Sequence, residues 1–262
     1  MKTLILVSAA VITGQLLSSC HYVSQLQANN DASSGRVTQN VSQAAPTATP
    51  QNWDDYRELL FVDQSLEEIV TRDGLPGDHF AKAYKHVKDG QPEEAKKSLR
   101  RILADPATEV REKLLAWRAL RKLGEELPPG LSREVVGVVL EVPVGDWVDT
   151  LAAYSDGRAR YLNGKGGVIV HEVVDDLHLN SLVQGVIEAA RPLVKNVPAF
   201  DKHRPQNSGV VRVSILTYGG IHVMEAKESD ITGSHPMSPV FHAGTRLFLT
   251  LLEYSEKAKQ NG

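Results

Sequence analysis

An α+β fold is predicted by a change of hydrophobic period and by the order in which the elements follow it. From Trp53 to Gly124 apolar residues recur at helical spacing, and after Gly130 they alternate with a period near two. Strands then come in runs separated by tight turns, with two late helical stretches, at about 177–191 and from Ser238 onward. This order predicts a small N-terminal helical module followed by an antiparallel sheet. The sheet is expected as a four-strand meander plus a hairpin, with two helices packed on one face.

Four regions are expected: a leader at 1–19, a tether at 20–52, the helical module at 53–130 and the sheet domain at 131–262. The leader has Lys2 followed by an apolar stretch from Leu4 to Leu17, too short to span a bilayer and laid out like a secretory signal. It ends in Leu17-Ser18-Ser19-Cys20, and Cys20 is the only cysteine. This run resembles the lipobox of bacterial lipoproteins. The resemblance implies cleavage before Cys20, a diacylglycerol on its thiol and an acylated new N-terminus. Several acyl chains give stable anchoring, each buried CH₂ contributing roughly 0.8 kcal/mol. The other reading is an ordinary cleaved signal whose cysteine is incidental. With no second cysteine, no disulfide can form within the chain.

From His21 to Gln51 the composition turns to Ser, Gln, Asn, Ala, Thr and Pro, with Asp31 and Arg36 as the only charges. Such a stretch cannot build a core. It is expected to behave as a coil of about thirty residues reaching on the order of 30 Å.

In the helical module, Ser65 and Glu68 form a capping-box pattern that opens a short helix through Ile69 and Val70. Gly74, Pro76 and Gly77 end it. A second helix is expected over 78–89, with Phe80, Ala83, Tyr84 and Val87 on one face and Gly90 as its stop. Pro92 suits the first position of a third, whose stripe is Ala95, Leu99, Ile102 and Leu103. Asp105-Pro106 separates it from a last helix, in which Val110, Leu114, Trp117, Leu120 and Leu123 face inward before Gly124. The stretch Ala83–Pro106 loosely resembles a tetratricopeptide repeat, which implies a peptide-binding module. Ile102 stands where that pattern wants a small residue, Pro106 falls one place early, and there is no second full copy. A helix hairpin with a third helix packed on it explains the same residues.

The sheet is expected to begin with strands at 135–142 and 147–154, joined through the Asp156-Gly157 hairpin signal to a third at 158–163. Gly164-Lys165-Gly166-Gly167 turns the chain into a fourth, 168–174. A helix follows with Leu179, Leu182, Val183, Val186, Ile187 and Ala190 as its stripe, then a long polar loop over 196–208. Val211, Val213 and Ile215 alternate with Arg212 and Ser214, and Tyr218-Gly219-Gly220 turns this strand back into 221–226. Ser238-Pro239 opens the last helix, where Val240, Gly244, Leu247, Phe248 and Leu251 face the sheet.

Asp156 to Asn163, the glycine-rich turn after it, and Val211 to Gly220 are similar to a set of uncharacterised bacterial proteins. In those, a helical pattern like Leu115-Ala116-Trp117-Arg118-Ala119-Leu120-Arg121 also precedes the sheet. The resemblance runs from about Ala81 to the end and implies a shared architecture, with no activity attached. This chain departs from the set in carrying His171-Glu172 where an aromatic–Glu pair is usual, and in carrying His222.

The formal charge is −3, and loss of the leader removes Lys2 alone, leaving −4. That gives no electrostatic case for nucleic acid. The run Lys96-Lys97 and Arg100-Arg101 sits beside Glu93 and Glu94 and reads as a solvated helix face. Gly164–Gly167 does not lead into a helix or a Lys-Ser/Thr pair, so it reads as a turn and not as a phosphate loop. His171 and Glu172 are neighbours on a strand and point to opposite faces, and no second histidine follows at HExxH spacing. A metal site would need His171 together with the distant His222, His235 or His242. No Gly-x-Ser-x-Gly elbow is present. Arg158, Arg160 and Arg212 are the candidate binding patch: a cationic cluster on the outer face of the sheet, or else solvated residues paired with Glu141, Glu172 or Glu225. Taken together, the sequence predicts an envelope lipoprotein that binds another envelope protein and needs no cofactor. The competing expectation is a metal-assisted hydrolase built on the histidines.

Overall fold

The computed structural model describes residues 53–71, 78–172, 175–203 and 209–260. The leader, Cys20 and the expected tether lie outside the described residues.

Five helices come first: α1 (Trp53–Glu58), α2 (Leu66–Thr71), α3 (Asp78–Lys88), α4 (Pro92–Ala104) and α5 (Val110–Lys122). Ser65 and Glu68 cap each other across the start of α2, as their spacing predicts. Pro92 opens α4, where its missing N–H has no helical partner to lose. Glu112 reaches back to the N–H of Glu109 and closes the start of α5.

The strands are β1 (Val135–Val144), β2 (Trp147–Tyr154), β3 (Ala159–Leu162), β4 (Val168–His171), β5 (Ala199–Phe200), β6 (Val211–Thr217) and β7 (Gly220–Ala226). They form one seven-stranded antiparallel sheet in the order β4-β3-β2-β1-β6-β7-β5, so the fold is α+β. The expected meander and hairpin are joined, because β6 pairs with β1. Burial demands it: every residue of β6 is buried, which a strand at the rim of a sheet cannot achieve. The expected polar loop contributes β5, and β4 ends three residues earlier than its apolar run suggests.

The register sorts side chains onto two faces. One carries Val138, Leu140, Leu151, Tyr161, Val213 and Ile215 and packs against α6 (Leu177–Ala190) and α7 (Ser238–Gln260). A Cβ on Gly244 of α7 would lie 2.8 Å from a Leu140 methyl, which shows how closely that helix backbone approaches. Tyr161 and Phe248 meet with their rings tilted by 49° and their centres 4.6 Å apart. The other face carries Val139, Ala152, Tyr154, Leu162, Leu216 and Ile221, which share one apolar cluster with Leu60, Phe61, Phe80, Leu99 and Leu120 of the helical module. The segments 53–130 and 131–262 thus differ in secondary structure but are joined by a common core.

Hydrogen bonds at two places fix that joint. The buried Tyr154 hydroxyl donates to the Leu60 carbonyl at 2.8 Å. At the β6–β7 turn, Gly219 N–H donates to the Ser132 carbonyl, and Arg121 donates to the Gly219 carbonyl at 2.8 Å. A Cβ on Gly219 would lie 2.3 Å from the Ser132 oxygen, an impossible approach to a backbone atom. Gly219→Ala is expected to lower unfolding free energy by about 1–3 kcal/mol, the range for overpacking. Urea denaturation beside Gly233→Ala, where a Cβ meets nothing within 4 Å, checks it; equal midpoints for the two variants would contradict the account.

Candidate functional site

The polar groups gather on the sheet face that the helical module covers. Arg158 and Arg160 lie two apart, and the register puts Arg160 and Arg212 on the same face, as alternation predicts. The expectation of an open cationic patch is nevertheless corrected, because that face is roofed. Arg158 makes ion pairs with Asp156 (2.8 Å), Glu109 (3.1 Å) and Glu172 (2.8 Å). Burial works against its charge, but these carboxylates outweigh it and hold Arg158 above its ordinary value. Arg160 bonds Glu172 through Nε at 3.0 Å. Arg212 is only 3% exposed and is held between Glu225 (2.7 Å from Nε) and Glu141 (3.8 Å). The expected partners Glu141, Glu172 and Glu225 are the ones found, but the arginines are enclosed and not solvated as that reading had them.

Glu141 lies buried in the sheet. Burial pushes its carboxyl above the usual range, with Arg212 pulling the other way. Thr150, opposite Glu141 on β2, and Ser214, beside Arg212 on β6, are buried with hydroxyls that have no hydrogen-bond partner among the described residues. Neither hydroxyl solvates the carboxylate, so desolvation remains the largest influence on it.

A second cluster had no signal in the sequence. Val62 adopts a left-handed backbone (φ 53°), a conformation that a β-branched residue rarely takes, and it turns Asp63 inward. Asp63 accepts from the His203 backbone N–H at 2.9 Å and lies 2.8 Å from His203 Nδ1. The His203 ring stacks on Phe61 at 4.3 Å. Burial raises the Asp63 carboxyl, but its bonds to His203 prevail and hold it below the ordinary value. From α5, Arg118 donates to the carbonyls of Asp63 and Asp201, and Arg121 pairs with the Asp201 side chain at 3.0 Å. The two arginines of the Leu115–Arg121 pattern thus tie α5 to the segment that leaves β5 at Asp201. Partners 140 residues apart cannot be paired from local spacing.

The other candidates separate. His171 on β4 and His222 on β7 are five inter-strand spacings apart, about 24 Å, so they cannot share an ion. His222 is buried, with Nδ1 2.7 Å from the Val197 carbonyl and Nε2 3.3 Å from the Thr217 hydroxyl. His235 Nδ1 accepts from the Met237 N–H. Among the described residues no group of three or more His, Cys, Asp or Glu could hold a metal ion. Asp176 caps α6 by accepting from the Leu179 N–H. The glycine-rich turn keeps its N–H groups for itself. Gly164 donates to Asp149, Lys165 to the Asn163 side chain, and Gly166 to the Asn163 carbonyl. Lys165 covers the Trp147 ring at 4.2 Å.

One feature of the sheet is open. β4 is a terminal strand, and Val168 and Val170 on it are 50% and 38% exposed. Among the described residues no helix is long and apolar enough to cross a membrane. Compared with known proteins, the chain matches no family model, no curated protein and no solved structure.

Two predictions follow from the buried charges. Arg212→Gln leaves Glu141 and Glu225 without their guanidinium and is expected to cost about 3–5 kcal/mol, as for a broken buried pair. Arg191→Gln, at a half-exposed pair with Glu188, should stay within about 0.5 kcal/mol; similar losses in chemical denaturation would refute the distinction. Asp63→Asn should cost about 1–3 kcal/mol at pH 7. A lowered folded pKa contributes stability above the unfolded value of 3.8 that is lost as pH falls through the folded value, so the gap between parent and variant should close below about pH 3.8. A gap constant from pH 7 to pH 3 would show that the Asp63 charge does not matter.

Proposed function

We propose that this chain is a lipoprotein of the bacterial cell envelope, anchored through acylated Cys20, that acts by binding another envelope protein and performs no chemistry. The observation that carries the binding reading is the contrast between the two ends of the sheet's polar face. The arginines and carboxylates of its interior are paired with one another, and the Arg158–Glu109 pair holds a helix to the sheet. The valines of the β4 edge, by contrast, are exposed on a strand that has a neighbour on one side only among the described residues. Solvent-facing apolar side chains on an open edge are what a protein partner recognises by strand addition.

The anchor reading draws its support from the Leu17-Ser18-Ser19-Cys20 run and the polar, weakly charged stretch after it, long enough to hold the folded part off a membrane. Cys20→Ala is expected to move the protein from the membrane fraction to the soluble one, or to leave a larger uncleaved precursor. Fractionation and gel mobility read both. Processing and membrane recovery equal to the parent would rule out the lipid anchor. The binding reading is tested with a photo-crosslinking amino acid at Val170 in intact membranes, where a discrete adduct is expected. A crosslinker at Lys97, on the charged side of α4, should give none, and the reverse pattern would place the surface elsewhere.

A further inference from the structure

Building on the reading of the chain as an anchored binding protein, we infer that the partner of the β4 edge is a second copy of the chain. The two β4 strands pair antiparallel about a two-fold axis through Ile169. The backbone sets which groups are available. The Asn163 N–H donates to the Gly167 carbonyl at 2.8 Å, so the backbone groups of Gly167, and by alternation those of Ile169 and His171, turn toward β3. The N–H and C=O of Val168 and Val170 therefore point to the open edge.

The register follows from the faces. Directly opposed residues in an antiparallel pair share a face, so two identical strands must be centred on a residue and not between two. Centring on Ile169 places Val168 opposite Val170 of the second copy, and Val170 opposite Val168. All four residues turn their backbone groups toward the interface, so both pairs close with two hydrogen bonds each. The exposed valines meet on one face, continuing the apolar strip that begins with Leu162 on β3. Gly167 comes opposite His171, which leaves room for the imidazole. Centring instead on Val170 would set Glu172 against Val168 and draw it from Arg158 and Arg160, its present partners.

The edge also lacks what usually prevents such pairing. From Gly166 to His171 there is no Lys, Arg, Asp, Glu or Pro, the devices by which open edges are blocked. The opposite edge strand, β5, is short enough at two residues to offer little template. The interface is small, so it gains from anchoring both copies in one membrane plane, which raises their effective concentration.

The test is disulfide capture with the full chain carrying Ile169→Cys, oxidised by copper phenanthroline in native membranes. Ile169 falls at a non-hydrogen-bonded position on the axis, where Cα atoms are about 4.5 Å apart, within disulfide reach. A covalent dimer is expected at several-fold higher yield than for Val87→Cys on α3, although Val87 is exposed and Ile169 half-buried. Adding Val170→Pro should return the yield to the Val87 level. It removes an outward N–H and no bond to β3, and an unchanged melting temperature confirms that the fold survives. The parent chain reports any crosslink through Cys20. A dimer there would overturn the anchor reading alone, and the interface would then be read in a Cys20→Ser background. Yield from Ile169→Cys no higher than from Val87→Cys overturns the second-copy interface. So does an adduct whose mass is that of another protein, which would identify a foreign strand as the occupant.

Discussion

β1 hydrogen-bonds to β2 along one side and to β6 along the other, and the rest of the molecule follows from that double pairing. It fuses a meander and a hairpin into one sheet and places β1, β2 and β6 at the centre. The middle of a central strand covered by helices on both faces is shut off from water, and only the adjoining ends of β1 and β2 are partly exposed. Glu141 and Arg212 stand opposite each other on β1 and β6, so the pairing that completes the sheet also buries both charges. Their mutual contact, and that of Arg212 with Glu225, compensates the loss of hydration.

The helical module is held by the same face. Its apolar residues share a cluster with Val139, Ala152, Tyr154 and Leu216, and polar bonds line the border of that cluster. Tyr154 reaches Leu60, Arg121 reaches the Gly219 carbonyl, and Val110 N–H donates to Asp156 at 3.1 Å. Asp156 in turn binds Arg158, whose other partners are Glu109 at the start of α5 and Glu172 beyond β4. The arginines therefore act as rivets between layers. Because each has two carboxylates or carbonyls fixed by separate elements, moving one element would strand a buried charge, which gives the layers a defined relative position.

The sheet ends differently at its two sides. At β5 it closes with a two-residue strand, while at β4 it stops with exposed valines and no charge. Two of the exposed large apolar side chains, Val168 and Val170, lie on that edge. The charged groups that hold the layers together, Asp63 with His203 and Arg158 with Glu109, lie away from that edge.

The sequence by itself determined the elements and their sides. Period and turn chemistry placed the Ser65–Glu68 cap, Pro92 at the start of α4, the two late helices and the i, i+2 placement of Arg158 and Arg160, because each depends on neighbours within a few residues. It also supplied the partners of the arginines as one of two alternatives. Only the tertiary structure decided between them. Alternation tells which side chains share a face, but whether that face meets water depends on what a chain segment tens of residues away packs against it. The same holds for Asp63 and His203, which lie 140 residues apart, and for the 24 Å between His171 and His222, which strand order alone fixes. Local physics chose the pieces, and the burial of long-range apolar surface chose which of their charges would be enclosed.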